Sequence, residues 1–161
     1  MKKLLSIFAA AILLVATACS SGDNQEEKFN AAETQALIKD YDANGGTLTP
    51  EQFSTLIKNT RLLFADIKDR MKELIDITDH DDFMQQYEAL KADASFMQEL
   101  SIREQAWRVL ILGQKNFSED NLTQFGNLPD ECMLIDYYDD CIRARLIQPT
   151  DTTSTPTPPT P

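Results

Sequence analysis

The stretch Asp40 to Phe53, DYDANGGTLTPEQF, concentrates the side chains best able to do chemistry. Asp40, Asp42, Asn44 and Glu51 offer oxygens spread along it, and Gly45-Gly46 permits a sharp turn between them. Hard oxygen donors spaced in this way suit Ca²⁺, which takes about six to eight of them, and the Gly46 carbonyl would add one more. Other candidates are plainer. Asp136, Asp139 and Asp140 stand at i, i+3 and i+4 on one helix flank, where a solvated acidic face is the simpler reading. His80, the one histidine, sits in the acidic cluster Asp79-His80-Asp81-Asp82 with no Ser or Cys nucleophile near it, and Trp107 falls at core spacing. No nucleophile is paired with a base, so the chain is not expected to be an enzyme. Cys132 and Cys141 would lie about 13 Å apart along one helix axis at 1.5 Å per residue. A disulfide needs Cα atoms within roughly 7 Å, so pairing requires a helix that starts after Met133 with Cys132 folded back.

The Asp40 stretch resembles an EF-hand in two registers that do not agree. Starting at Asp40, the ligand pattern Asp-x-Asp-x-Asn-Gly, closed by Glu51, fits the family, while Lys39 and Thr47 occupy places that are apolar there. Starting at Asp42, Leu37, Ile38, Tyr41, Leu48 and Phe53 take the family's apolar positions, but the ligands fail and the closing acid is Gln52. Thr49, Pro50 and Gln52 also form a helix start that needs no metal. The expectation is a helix-loop-helix connector with weak Ca²⁺ binding at most.

The first residues, MKKLLSIFAAAILLVATAC, combine Lys2 and Lys3, an apolar run from Leu4 to Val15, and small residues up to Cys19. That is the build of a secretory signal, and the run is shorter than the roughly 20 residues a membrane span takes. Ala16-Thr17-Ala18-Cys19 resembles a bacterial lipobox, which implies removal of residues 1–18 and lipidation of Cys19, a palmitate-type anchor. The tether that follows, residues 19–30 with SSGDNQEE, resembles the acidic export tract of Bacteroidota-type lipoproteins. An outer-membrane lipoprotein is implied, either surface-exposed or facing the periplasm. Residues 148–161, QPTDTTSTPTPPTP, cannot form a helix or pack a core and are expected to be a disordered tail. Within them Asp151-Thr152-Thr153 resembles an O-glycosylation sequon of the same bacteria, with Thr152 as acceptor.

Between tether and tail, residues 31–147 carry helical periodicity and no sustained alternation. Phe53, Leu56, Ile57, Leu63, Phe64, Ile67, Met71, Leu74 and Ile75 recur at three- and four-residue steps, predicting one long helix over Pro50–Thr78. A second helix is expected from the Asp79 cluster, with Phe83, Tyr87, Leu90 and Ala94 inward. Ser101-Ile102-Arg103-Glu104 reads as a capping box, predicting a break near Leu100 and then a helix to about Gln114 that buries Trp107, Leu110 and Ile111. Ser118 should cap a short helix ended by Gly126. The last helix should follow Pro129 and bury Leu134, Tyr138, Cys141, Ile142 and Leu146. The fold class is therefore all-α, a small bundle of about five or six helices.

The formal charge of −11 becomes about −13 once Lys2 and Lys3 leave with the signal. Such an acidic chain repels nucleic acid and anionic headgroups. The function expected is that of a membrane-anchored lipoprotein whose helical domain binds an envelope or surface protein. A calcium-binding module is the alternative.

Overall fold

Thr49, Pro50 and Gln52 start the longest helix as their types predict. In the computed structural model, which describes residues 28–147, the Thr49 hydroxyl accepts from the Gln52 N–H at 3.2 Å while the Gln52 side chain accepts from the Thr49 N–H at 2.9 Å. This reciprocal cap opens α2 (Pro50–Ile75), which ends three residues before Thr78. Around it lie α1 (Ala31–Ala43), α3 (His80–Ala92), α4 (Ala94–Gly113), α5 (Glu119–Phe125) and α6 (Leu128–Ile147), with a 3₁₀ turn over Gln114–Asn116. The fold is all-α, and no strand occurs among the described residues. Residues 1–27 and 148–161, and with them Cys19 and Thr152, lie outside the description.

α2 is central and packs against each of the other five helices. Its apolar positions explain why. Phe53, Leu56, Ile57, Leu63, Phe64 and Ile67 are all but completely buried, and Met71 and Leu74 continue the stripe. Polar groups caught inside are satisfied: Thr60 donates to the Leu56 carbonyl at 2.7 Å, and Asn59 donates to Glu33 of α1 at 2.8 Å. Asn121 donates to the Pro50 carbonyl at 2.9 Å and so fixes α5 to the start of α2. α4 approaches so closely at Gly113 that a Cβ there would stand 2.6 Å from the Phe53 ring.

Three details differ from the sequence reading. The break expected near Leu100 falls at Asp93, because Asp93 accepts from the N–H groups of Ser95 and Phe96 at 2.8 and 3.2 Å and caps α4 itself. Ser101 is then an exposed residue inside α4, and its hydroxyl accepts from Gln105 at 3.2 Å. Ala94, Ile111 and Leu134 were expected inside, yet all three are exposed. A helix turns about 100° per residue, so Ile111 lies off the face that buries Ala106, Val109 and Leu110. α6 begins at Leu128, one residue ahead of Pro129, which occupies the first turn where its missing N–H costs nothing.

Candidate functional site

The Asp40 stretch does not gather its oxygens. α1 continues to Ala43, so Asp40 and Asp42 stand two residues apart on a helix, roughly 200° around its axis. Asp42 faces α4 and accepts two bonds from Arg108 Nη2, at 3.0 and 3.1 Å. Asp40 accepts from Gln52 at 3.3 Å. Glu51 lies in the first turn of α2, where its own backbone N–H and then the Thr49 hydroxyl hold its carboxyl below the usual range. Asn44 is the C-cap of α1, and its carbonyl accepts from the Thr47 hydroxyl at 2.9 Å. The chain then reverses through Gly45 and Gly46, with φ of +67° and +84°, and the Gly46 N–H returns to the Tyr41 carbonyl at 2.9 Å. That is a Schellman closure, followed by the capping box of α2. Leu37, Ile38, Tyr41, Leu48 and Phe53 are buried, as the second register requires. No group of three or more His, Cys, Asp or Glu side chains suited to a metal occurs among the described residues.

The two cysteines are likewise held apart. Both lie in α6, and both are free thiols in this structure. The fold-back that a Cys132–Cys141 disulfide needs does not occur, because α6 already runs from Leu128. Burial pushes the Cys132 thiol above its ordinary pKa, and Arg103, 3.4 Å from Sγ, only partly offsets it. A protonated, buried thiol is a poor nucleophile. His80 opens α3, and Trp107 stacks on Phe125 and tilts against Phe64 as a packing residue. Asp136 and Asp139 are occupied by ion pairs with Arg103 and Arg143.

What the fold does assemble is a groove. α4 and α6 both lean on α2 and leave a gap between their outer edges, closed at one end by the last turns of α3. Met71 and Leu74 of α2 form its floor, with Leu90, Leu100 and Ile135 on the walls. Its volume is about 370 Å³, within the range of ligand and side-chain pockets. Met97 lies half-exposed on the rim. Arg103 reaches in from α4, donates to Asp136 and to Cys132, and keeps its Nε buried without a hydrogen-bond partner. Lys91, Glu104, Asp139 and Arg143 make the mouth charged around an apolar interior.

The corner beside the groove is pinned electrostatically. Arg70 of α2 pairs with Asp93 and, at 3.4 Å, with Glu99, and its guanidinium lies 4.6 Å from the Phe96 ring centroid. The Phe96 N–H, then Arg70, depress the Asp93 carboxyl. Glu99 moves the other way, raised by burial and then by the neighbouring Asp66 carboxylate. α3 is attached lightly by comparison, since Phe83 is its one buried residue, covered by Arg145 at 3.9 Å. A second concavity of about 350 Å³, lined by Arg70, Glu73 and Asp93, lies on the other side of Leu74 and Leu90.

Sequence reasoning missed this groove because its walls come from four helices. One signal was present: Phe96, Met97 and Leu100 put more apolar surface on α4 than one buried face needs. Comparison of the chain with protein-family models, curated proteins and solved structures finds no match.

Proposed function

We propose that this chain is a membrane-anchored lipoprotein of the cell envelope, held by a lipid on Cys19, whose helical domain binds a partner protein. The anchor rests on the leader and the Ala16-Thr17-Ala18-Cys19 sequence. The groove between α4 and α6 carries the binding part of the reading. An apolar interior about 370 Å³ in volume with a charged mouth favours a protein segment that inserts one or two apolar side chains and orients itself on the rim. α3, attached mainly through Phe83, forms a wall able to shift as the groove fills. No helix among the described residues is long and apolar enough to cross a membrane, so on this reading attachment comes from the lipid.

Two measurements test the proposal separately. Metabolic labelling with an alkyne fatty acid should mark the full-length chain and fail for Cys19→Ala; labelling that persists in the variant removes the anchor. Photo-crosslinking from Met97 in intact cells should trap a discrete adduct with the wild-type groove. Leu100→Glu should abolish that adduct with the circular dichroism unchanged. An adduct insensitive to the charge would exclude the groove as the binding site.

A further inference from the structure

We infer that the outer face of α6 is a self-pairing surface, on which two copies of this chain align α6 in parallel about a two-fold axis with their Cys141 thiols facing each other. α6 is apolar on two sides. Leu128, Cys132, Ile135 and Ile142 are buried against the bundle, yet Met133, Leu134 and Tyr137 are 69%, 38% and 62% exposed. A surface helix normally keeps its outer face polar, and an apolar stripe set among the exposed Asp136, Asp140 and Arg143 marks a surface open to association.

The spacing says what covers it. Leu134, Tyr137, Cys141 and Ala144 follow one another at steps of three, four and three residues, which is the seam of a two-stranded coiled coil. Placing two such seams in parallel sets Met133 on one flank against Tyr138 of the second copy, a thioether–aromatic contact. The next flanking pair sets Asp140 against Arg145 of the second copy, and those charges are opposite. Within its own chain Arg145 lies 3.9 Å over the Phe83 ring and its Nη1 donates to the Ile75 and Ile77 carbonyls at 3.2 and 2.6 Å, so its charge stays on that flank of α6 and off the seam. Antiparallel pairing would bring the two Asp140 carboxylates together and place each thiol opposite a tyrosine. Repulsion between the acidic bodies of the two copies fades beyond a Debye length of about 8 Å at physiological salt.

The seam is short, about 16 Å at 1.5 Å per residue, and covers less than the ~800 Å² per partner of a stable interface. Non-covalent pairing is therefore transient, and Cys141 is placed to lock it. One Cys141 thiolate attacks a disulfide-bearing oxidant and releases one of its sulfurs as a thiol. The second copy's thiolate then attacks the mixed disulfide and releases the other. Two protein thiols become one disulfide, and the oxidant leaves as two thiols carrying the two electrons and two protons.

The test uses purified full-length chain away from membranes, so its outcome does not depend on the envelope reading. In a Cys19→Ser, Cys132→Ser background, oxidised glutathione should give a dimer on non-reducing electrophoresis. Moving the remaining thiol with Cys141→Ala to Leu134→Cys on the seam should preserve the rate within about threefold. Moving it to Arg143→Cys off the seam should slow it at least tenfold. Tyr137→Asp with Cys141 retained should slow bridging at least tenfold with the circular dichroism unchanged. Monomer throughout would show that the stripe takes a different occupant and that self-pairing is wrong. Rates independent of position, or indifferent to Tyr137→Asp, overturn the proposal equally.

Discussion

α2 and α6 lie against each other and divide their apolar residues in opposite ways. Along α2 nearly every large apolar side chain points into the bundle, and five helices pack against it to receive them. Along α6 the buried set is Leu128, Cys132, Ile135 and Ile142, while Met133, Leu134, Tyr137 and Ile147 face outward. The first pattern is explained by folding alone. The second exceeds what folding one chain requires, and the excess marks a surface available for association.

The largest effect should come from breaking the α2 side. Phe64→Asp puts an unpaired charge where exposure is 1% and costs several kcal/mol, a large part of the 5–15 kcal/mol typical of a domain. Loss of the far-ultraviolet helical signal at room temperature is expected, and a cooperative melt near that of the wild type would show that this face is not core. Gly113→Ala should cost about 1–3 kcal/mol in urea denaturation, because the new methyl meets the fixed Phe53 ring at 2.6 Å. An unchanged midpoint would mean that α4 can retreat without loss.

The charged flank of α2 gives a pH-dependent effect. Asp93 is depressed below the usual value near 3.8, so its contribution is present above that pH and is lost as pH falls through the lower folded value. Glu99 is raised, so its protonated form favours the folded state, and that contribution is lost as pH rises through its folded value. Asp93→Asn keeps the helix cap and removes the charge that Arg70 holds. Thermal melts from pH 2.5 to 7 should show a smaller acid-side fall in Tm for the variant than for the wild type; parallel curves would remove Asp93 from the acid response. The smallest effect belongs to α6. Met133→Glu, on the exposed stripe, should change stability by less than about 0.5 kcal/mol, and a cost above 1 kcal/mol would mean that the residue is packed within one chain.

The contrast between the two helices also shows which parts of the fold could be read in advance. The α2 stripe from Phe53 to Leu74 was legible because a residue buried on a central helix leaves a 3.6-residue period in the sequence. The cap at Thr49 and the Ser118–Gly126 helix were legible because capping is local. The break at Asp93 was not. Asp93 and Ser101 both carry side chains able to cap, and what favours Asp93 is Arg70, 23 residues away in sequence. Leu134 and Ile111 were read inward because periodicity cannot distinguish an apolar residue that meets the core from one that meets solvent or a second molecule.

The sequence by itself determined the helical class, the long helix from Pro50, the caps at Thr49 and Ser118 and the acidic charge, all of which follow from residue type and short-range spacing. It also carried the leader and the Cys19 motif as readings independent of the fold. Only the tertiary structure decided how the Asp40 stretch packs. Its carboxylates match a calcium loop as letters, but Tyr41, Leu48 and Phe53 require the packing of the other register, and Arg108 of α4 takes Asp42. The groove was decided in the same way. Met71, Leu74, Leu90, Leu100, Arg103 and Ile135 are scattered over 65 positions, and they meet because α2 stands behind both α4 and α6 and holds their outer edges apart.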